Sequence, residues 1–231
     1  MTGADPSTDV RRMFDRIARR YDRANRLMSM GIDLRWRRQA LRALLADLGP
    51  APRMLDLGAG TLDSSLQMLR ITPRARVVAA DFARQMLLAG RHKPGAQAVT
   101  THAADGHCLP YGAGVFDGAF SAFCVRNLRE RAVALAELRR VVRPGGRIAI
   151  LEFFRPVRSR PLVDGLWNRR VLPLIGWAVS GDRDAYRYLP DSITRFASRA
   201  EFEDELRAAG FSQISGRDFF PGAVASLVMA R

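Results

Sequence analysis

Lysine is almost missing from this 231-residue chain: Lys93 stands alone among 37 basic residues. Cysteine is nearly as scarce. Cys108 and Cys124 form no Cys-x-x-Cys or Cys/His pattern, which excludes a disulfide framework and a zinc-type site, so both are expected as reduced, packed thiols. The histidines are His92, His102 and His107, with no His-Glu-x-x-His spacing. They read as surface or loop residues, and no metal is expected. Long apolar runs are lacking too. The longest, Val171 to Val179, is interrupted by Pro173 and is too short to span a bilayer. The start shows no cationic stretch followed by an apolar one, so the expected location is the cytoplasm.

What is present is enough apolar material for a full core. Hydrophobic residues make up 48% of the chain, with no internal repeat, which suits one globular unit with terminal additions. The formal net charge is +14, carried almost wholly by arginine in an alanine-rich chain. Such a bias can reflect coding alone, and no recognisable nucleic-acid module accompanies it, so no nucleic-acid partner is expected. One segment is more suggestive. Arg155, Arg158, Arg160, Arg169 and Arg170 lie among Leu162, Leu166, Trp167 and Leu172, a combination suited either to an anionic membrane surface or to a helix packed on the protein. Contact at the inner face of the membrane is the first of these two readings. Oligomeric state is left open.

Apolar residues Val10, Met13, Phe14, Ile17 and Tyr21 recur at helical spacing, and a second helical pattern covers Leu34 to Leu48 after the loop Ser29 to Asp33. Residues 1–52 are therefore expected as a tail, frayed over Met1 to Thr8, and two lid helices. From 53 to 231 the pattern alternates. Strands are expected at Met54–Leu57, Val77–Ala80, Ala98–His102, Val115–Ala122 and Arg147–Leu151, the last after a Pro144-Gly145-Gly146 turn. Helices are expected at Ser64–Ile71, Arg84–Gly90 and Glu130–Val142 between them. A helical insertion occupies about 155–195, centred on Pro161–Val179, followed by a helix at Arg199–Ala209 and strands at Ser212–Arg217 and Val224–Met229. Alternation of this kind calls for a Rossmann-like α/β fold: a mostly parallel, seven-stranded sheet with helices on both faces and an antiparallel last strand.

In open parallel sheets, ligands bind just beyond the carboxyl ends of the strands. The first strand runs into Asp56-Leu57-Gly58-Ala59-Gly60-Thr61-Leu62-Asp63, where Gly58 and Gly60 let the backbone approach a ligand. A dinucleotide fingerprint would need a third glycine, but position 63 is Asp, which would repel a pyrophosphate and not a sulfonium amino acid. Asp81 ends the second strand, where a carboxylate can accept from both ribose hydroxyls. Asp105-Gly106 follows the third strand, placed for an adenine amino group, with Phe82 and Met86 to pack on the ring. Together these positions, with Ser121 near the end of the fourth strand and Asn127 after it, predict a pocket for S-adenosyl-L-methionine.

With its flanks, the chain resembles the ubiquinone/menaquinone biosynthesis C-methyltransferases. The resemblance rests on Tyr21-Asp22-Arg23-Ala24-Asn25-Arg26-Leu27-Met28-Ser29, Val125-Arg126-Asn127-Leu128, Arg140-Val141-Val142-Arg143-Pro144-Gly145-Gly146-Arg147-Ile148 and Tyr186-Arg187-Tyr188-Leu189-Pro190-Asp191-Ser192-Ile193. It covers Val10 to about Ala225. Four positions depart from it: Leu62 stands where the family usually has Gly, Ala24 where it has Met, Asp33 where it has His and Phe154 where it has Ser. The resemblance implies a class I methyltransferase that alkylates a ring carbon of a reduced, lipophilic quinol. In that reaction Arg126 is expected to stabilise the phenolate oxyanion, its charge being permanent. Tyr21 and Asp22 on the lid are candidates for proton acceptance, alongside water. Tyr186 and Tyr188 are expected to face the acceptor if their segment is extended.

Overall fold

The computed structural model describes residues 6–156, 183–219 and 225–231. Two helices come first, α1 (Pro6–Ser29) and α2 (Ile32–Leu45), separated by Met30 and Gly31, which both adopt left-handed backbone angles and so break the helix. Helix α1 starts at Pro6, where proline's fixed φ suits a first turn, rather than after a frayed tail to Thr8.

Alternation then proceeds as β1 (Arg53–Leu57), α3 (Asp63–Ile71), β2 (Arg76–Asp81), α4 (Arg84–Gly90), β3 (Thr100–Ala103), β4 (Phe116–Ala122), α5 (Arg131–Val141) and β5 (Val142–Glu152). Helices α6 (Arg183–Arg195) and α7 (Arg199–Ala208) and strands β6 (Ser215–Asp218) and β7 (Ser226–Ala230) complete the described chain. The seven strands lie in the order β3-β2-β1-β4-β5-β7-β6, with β7 antiparallel to both its neighbours and the other pairs parallel. The expected sheet is therefore present.

Successive residues of each inner strand feed opposite layers. Met54 joins the cluster beneath α2 and α3 with Trp36, Leu41, Leu44 and Met68, while Leu55 joins the one beneath α5 and α7 with Phe116, Leu138 and Phe202. Full burial of side chains such as Leu41 or Phe202 contributes about 1.5–3 kcal/mol each. Phe154 lies in this second layer against Phe196 and Phe202, at ring separations of 5.5 Å each. Helix α7 is started by a capping box between Ser198 and Glu201.

Three expectations change here. The Pro144-Gly145-Gly146 turn does not precede β5 but bulges within it: Phe116 pairs with Val142, and the next pair is Gly118 with Arg147. Gly145 supplies a φ of +73°, and a Cβ at Gly146 would stand 2.7 Å from the Asp117 carbonyl. The Tyr186 to Ile193 segment is helical, not extended, so the condition under which Tyr186 and Tyr188 would both face the acceptor is not met. Cys108 is exposed rather than packed. The helical insertion at Pro161–Val179, with Trp167, Arg169 and Arg170, lies outside the described residues, as do Arg158 and Arg160. Arg155, the first arginine of the basic stretch, is held by Glu201, at 2.6 Å, and by the Phe196 carbonyl.

Candidate active site

The carboxyl ends of β1, β2, β4 and β5 converge under α1, and the predicted residues fall into three groups there. The first is the loop after β1. Gly58 and Gly60 have φ of +70° and +53°, angles open to glycine, and their amides lie against β2: Gly58 N–H donates to the Ala80 carbonyl and Gly60 N–H to Asp81 Oδ2 at 2.7 Å. Asp81 Oδ1 accepts from the Ala83 amide at 2.8 Å, which leaves each oxygen a lone pair for a hydroxyl. Burial pushes the Asp81 carboxyl up to about 6, although both amides pull it down. Asp56 is also pushed up to about 6 by burial, while its bond from Ser65 Oγ, at 2.5 Å, opposes the shift.

Met86 and Phe82 follow Asp81 and form a small cluster with Ala18, Phe14 and Tyr21 of α1. The Met86 methyl lies 3.3 Å from where a Cβ of Gly60 would stand, so a side chain there would crowd the loop. A bare glycine loop, a buried strand-end carboxylate with lone pairs to spare, and an apolar pair beside it fit the sugar and ring of S-adenosylmethionine.

Leu62 occupies the next left-handed position, φ +69°, yet its side chain is fully buried in the layer beneath α2 and α3. It points away from the strand ends and packs where Gly90 has no side chain: a Cβ on Gly90 would stand 2.7 Å from both Leu62 Cγ and the Thr61 carbonyl. The family's usual glycine is thus replaced by a core residue, at a backbone cost of about 1–2 kcal/mol.

The second group ties the lid to this loop. Thr61 Oγ1 donates to Asp22 Oδ1 at 2.5 Å and accepts from Lys93 Nζ at 3.1 Å. Lys93 also pairs with Asp22 and Asp63 at 2.7 and 2.6 Å, and Arg26 of α1 bridges Asp63 to the buried Asp33. Burial works to raise the Asp63 pKa, but Lys93, followed by Arg26, holds it below the usual carboxylate range. Thr61 and Asp22 therefore bond to each other and to the lysine. Asp33, where the family has histidine, is the acid that anchors Arg26 and accepts from Ser29 at 2.8 Å.

The third group lies after β4. Arg126 Nη1 donates to Glu152 Oε1 at 2.7 Å and to the Phe123 carbonyl at 2.8 Å, and its Nε donates to Ser192 Oγ of α6 at 3.2 Å. Among the described residues this leaves Nη2 as the guanidinium's open edge. Burial raises the Glu152 carboxyl, with Arg126 opposing. Tyr188 donates to Asn127 Oδ1 at 3.0 Å and packs, as Tyr21 and Met28 do, against the α1 cluster of Met13, Ile17 and Ala24. Tyr21 lies between the groups, within electrostatic reach of Arg126 on one side and Asp81 on the other; burial pushes its phenol up, so it stays protonated.

Two predicted residues point elsewhere. Ser121 Oγ donates to the Leu57 carbonyl at 2.8 Å, stitching β4 to β1. Asp105 turns Oδ1 to its own loop, accepting from the His107 amide and meeting its Nδ1 at 2.6 Å; partial burial works upward, but His107 holds this carboxyl below its usual range. Its neighbour Gly106 faces Leu128 and Leu57. Sequence reasoning passed over Lys93, Ser192 and Cys124, whose sulfur lies 2.2 Å from where a Gly58 Cβ would be. Only Lys93 carried a signal, its singularity.

The strand order and this strand-end site define a class I, S-adenosylmethionine-dependent methyltransferase. A possible histamine N-methyltransferase from Thermotoga maritima superposes at a TM-score of 0.63, with 16% identity, over 95% of this chain and 98% of its own. A SAM-dependent methyltransferase from Aquifex aeolicus gives 0.58 at 20% identity, over 82% and 88%. The family model described as the ubiE/COQ5 methyltransferase family matches residues 1–230, and the chain belongs to that family. Its relatives include the ubiquinone/menaquinone biosynthesis C-methyltransferase UbiE of Syntrophotalea carbinolica, 45% identical over 95% of this chain and 92% of that one. The demethylmenaquinone methyltransferase of Thermus thermophilus is 44% identical over 87% and 91%.

Proposed function

We propose that the chain methylates a ring carbon of a reduced demethylmenaquinone or closely related polyprenyl quinol. The observation that carries this is the cluster of Arg126, Asn127, Tyr188 and Tyr21 beside the glycine loop and roofed by α1, in a chain whose relatives are named for that chemistry. S-adenosylmethionine, when bound, supplies a sulfonium methyl to which the ring carbon bonds as the carbon–sulfur bond breaks.

The protein's part is to bind the quinol as its phenolate and hold the carbon in line. Arg126 does so through Nη2. Its charge is balanced by Glu152, so it acts as a fixed donor in a dry site rather than as an uncompensated cation. Tyr21, kept neutral by burial, donates a second hydrogen bond instead of accepting a proton. Asp22 is engaged by Lys93 and Thr61, so the ring proton leaves to water. Gly58, Gly60, Asp81, Phe82 and Met86 hold the cofactor's sugar and ring.

The test is transfer of labelled methyl from S-adenosylmethionine to reduced demethylmenaquinone, to its benzoquinol counterpart and to a tail-less naphthol. Methylation of a prenylated quinol, lost in Arg126→Ala, is expected. Transfer to the tail-less naphthol alone would refute the assignment.

A further inference from the structure

The outward face of α1 follows one stripe. Arg12, Arg16, Arg19, Arg23 and Leu27 recur every three or four residues and are all exposed, and Met30 continues the spacing into the corner before α2. Inward, the same helix buries Met13, Ile17, Ala18 and Ala24 and carries Tyr21 into the site.

Two properties mark this stripe. Several exposed arginines elsewhere sit beside acids, as Arg143 does with Asp117, Arg140 with Glu137 and Arg207 with Asp204. On α1, Arg12, Arg19 and Arg23 have no carboxylate partner among the described residues, and two of the helix's acids are engaged by other groups: Asp15 accepts from the Gln85 amide and pairs with Arg11, and Asp22 pairs with Lys93. Moreover, the exposed large hydrophobics among the described residues are Leu27, Met30 and Val133, at 54%, 75% and 42% exposure, and the two most exposed close this stripe. Arg12, Arg19 and Arg23, leading to a protruding apolar corner, match a surface of negative headgroups over acyl chains. Nucleic acid would match the arginines but gives Leu27 and Met30 nothing to enter.

We propose that the outer face of α1, with the Leu27–Met30 corner, docks the protein on an anionic lipid bilayer, with Tyr21 on the far side of the same helix. This deepens the quinol reading and rests on it for its purpose, since a polyprenyl tail resides in a bilayer. Its surface chemistry stands without it.

The experiment is co-sedimentation of the full chain with phosphatidylglycerol/phosphatidylcholine vesicles and with phosphatidylcholine alone. Binding to the anionic vesicles only, weakening with salt, is expected. Arg19→Ser/Arg23→Ser should lower that binding about thirtyfold. Leu27→Ser/Met30→Ser should lower it at high salt, where the apolar contribution remains. Both variants should keep the wild-type melting temperature and the wild-type rate on a short-tailed quinol in free solution. Absent wild-type binding, binding undiminished in both variants, or displacement from vesicles by equimolar RNA would overturn the proposal. Vesicle docking together with no methylation of any quinol would sink the substrate reading and leave the docking face standing.

Discussion

Lys93 Nζ lies 2.7 Å from Asp22 Oδ2, joining the turn after α4 to the lid helix α1 directly above the glycine loop. An ammonium has three donors, and Asp22, Asp63 and Thr61 offer it three oxygens. A guanidinium directs its donors in one plane and cannot reproduce that arrangement, which accounts for a lysine here in a chain otherwise basic through arginine.

Lys93→Met should therefore loosen α1 from the loop. The KM for S-adenosylmethionine is expected to rise about tenfold, as loss of charged hydrogen bonds worth ~1.5 kcal/mol implies, with a smaller change in kcat. Lys93→Arg should fail to restore it. Because the wild type has no other lysine, an amine-reactive label reads this latch directly: cofactor should slow Lys93 labelling relative to the chain's α-amine. Equal labelling with and without cofactor would refute the latch.

Asp81 and Asp56 give the site a pH dependence. Their folded pKa values, about 6, exceed the ordinary 3.8, so the stability each contributes is full below about 4 and is lost as pH rises through 6. Cofactor affinity runs the other way, because the ribose hydroxyls need the Asp81 carboxylate. Calorimetry should show affinity for S-adenosylmethionine rising between pH 5 and 7, by at most about tenfold per unit below the pKa. Asp81→Asn should bind weakly with a flattened profile, any remaining slope belonging to Asp56. An unaltered slope would remove Asp81 from the role.

Much of this was legible in the sequence, and the reasons are local. Apolar runs such as Met54 to Leu57 ending in glycine specify a buried strand and its loop, and the strand-end position of Asp81 follows from the alternation. What escaped was tertiary. Nothing near Thr61 in the chain shows that its hydroxyl bonds Asp22, thirty-nine positions earlier. Ser121 and Asp105 sit at suitable strand ends, but the pleat turns Ser121 to Leu57, and a two-residue turn brings His107 to Asp105. Tyr186 and Tyr188 alternate with polar residues as a strand would, while contact of Tyr188 with α1 and Asn127 favours the helix.

Leu62 and Gly90 should behave as a pair. Leu62→Gly relieves a left-handed backbone worth about 1–2 kcal/mol but removes a fully buried side chain worth ~2–5 kcal/mol, so net destabilisation of about 2 kcal/mol, at the middle of the difference, is expected in urea. Cofactor affinity should hold, because the side chain faces the core. Gly90→Ala should weaken binding instead, since its methyl would press on the Thr61 backbone as well as on Leu62. Equal cofactor affinity in Gly90→Ala and wild type would show that the loop absorbs the displacement.

Arg126 and Glu152 are both almost wholly inaccessible, with side-chain exposures of 6% and 0%, and each is the other's charge partner. Removing one strands the other, so Arg126→Ala and Glu152→Gln should not be equivalent. Arg126→Ala leaves a buried carboxylate whose pKa burial already raises, and should cost about 3–5 kcal/mol of stability at pH above the point where protonation relieves it. That relief has a sign: Glu152's folded pKa in the variant lies above its unfolded value, so the variant should regain stability as pH falls. Glu152→Gln retains an amide oxygen for Arg126 Nη1 and leaves the cation unbalanced. It should fold, bind the phenolate more tightly and lower kcat less than the roughly hundredfold loss expected for Arg126→Ala. Arg126→Lys is the decisive control. One ammonium cannot meet Glu152, the Phe123 carbonyl and Ser192 while also facing the acceptor, so a lysine variant with the wild-type kcat would show that the charge of Arg126, and not its planar fork, is what the reaction uses.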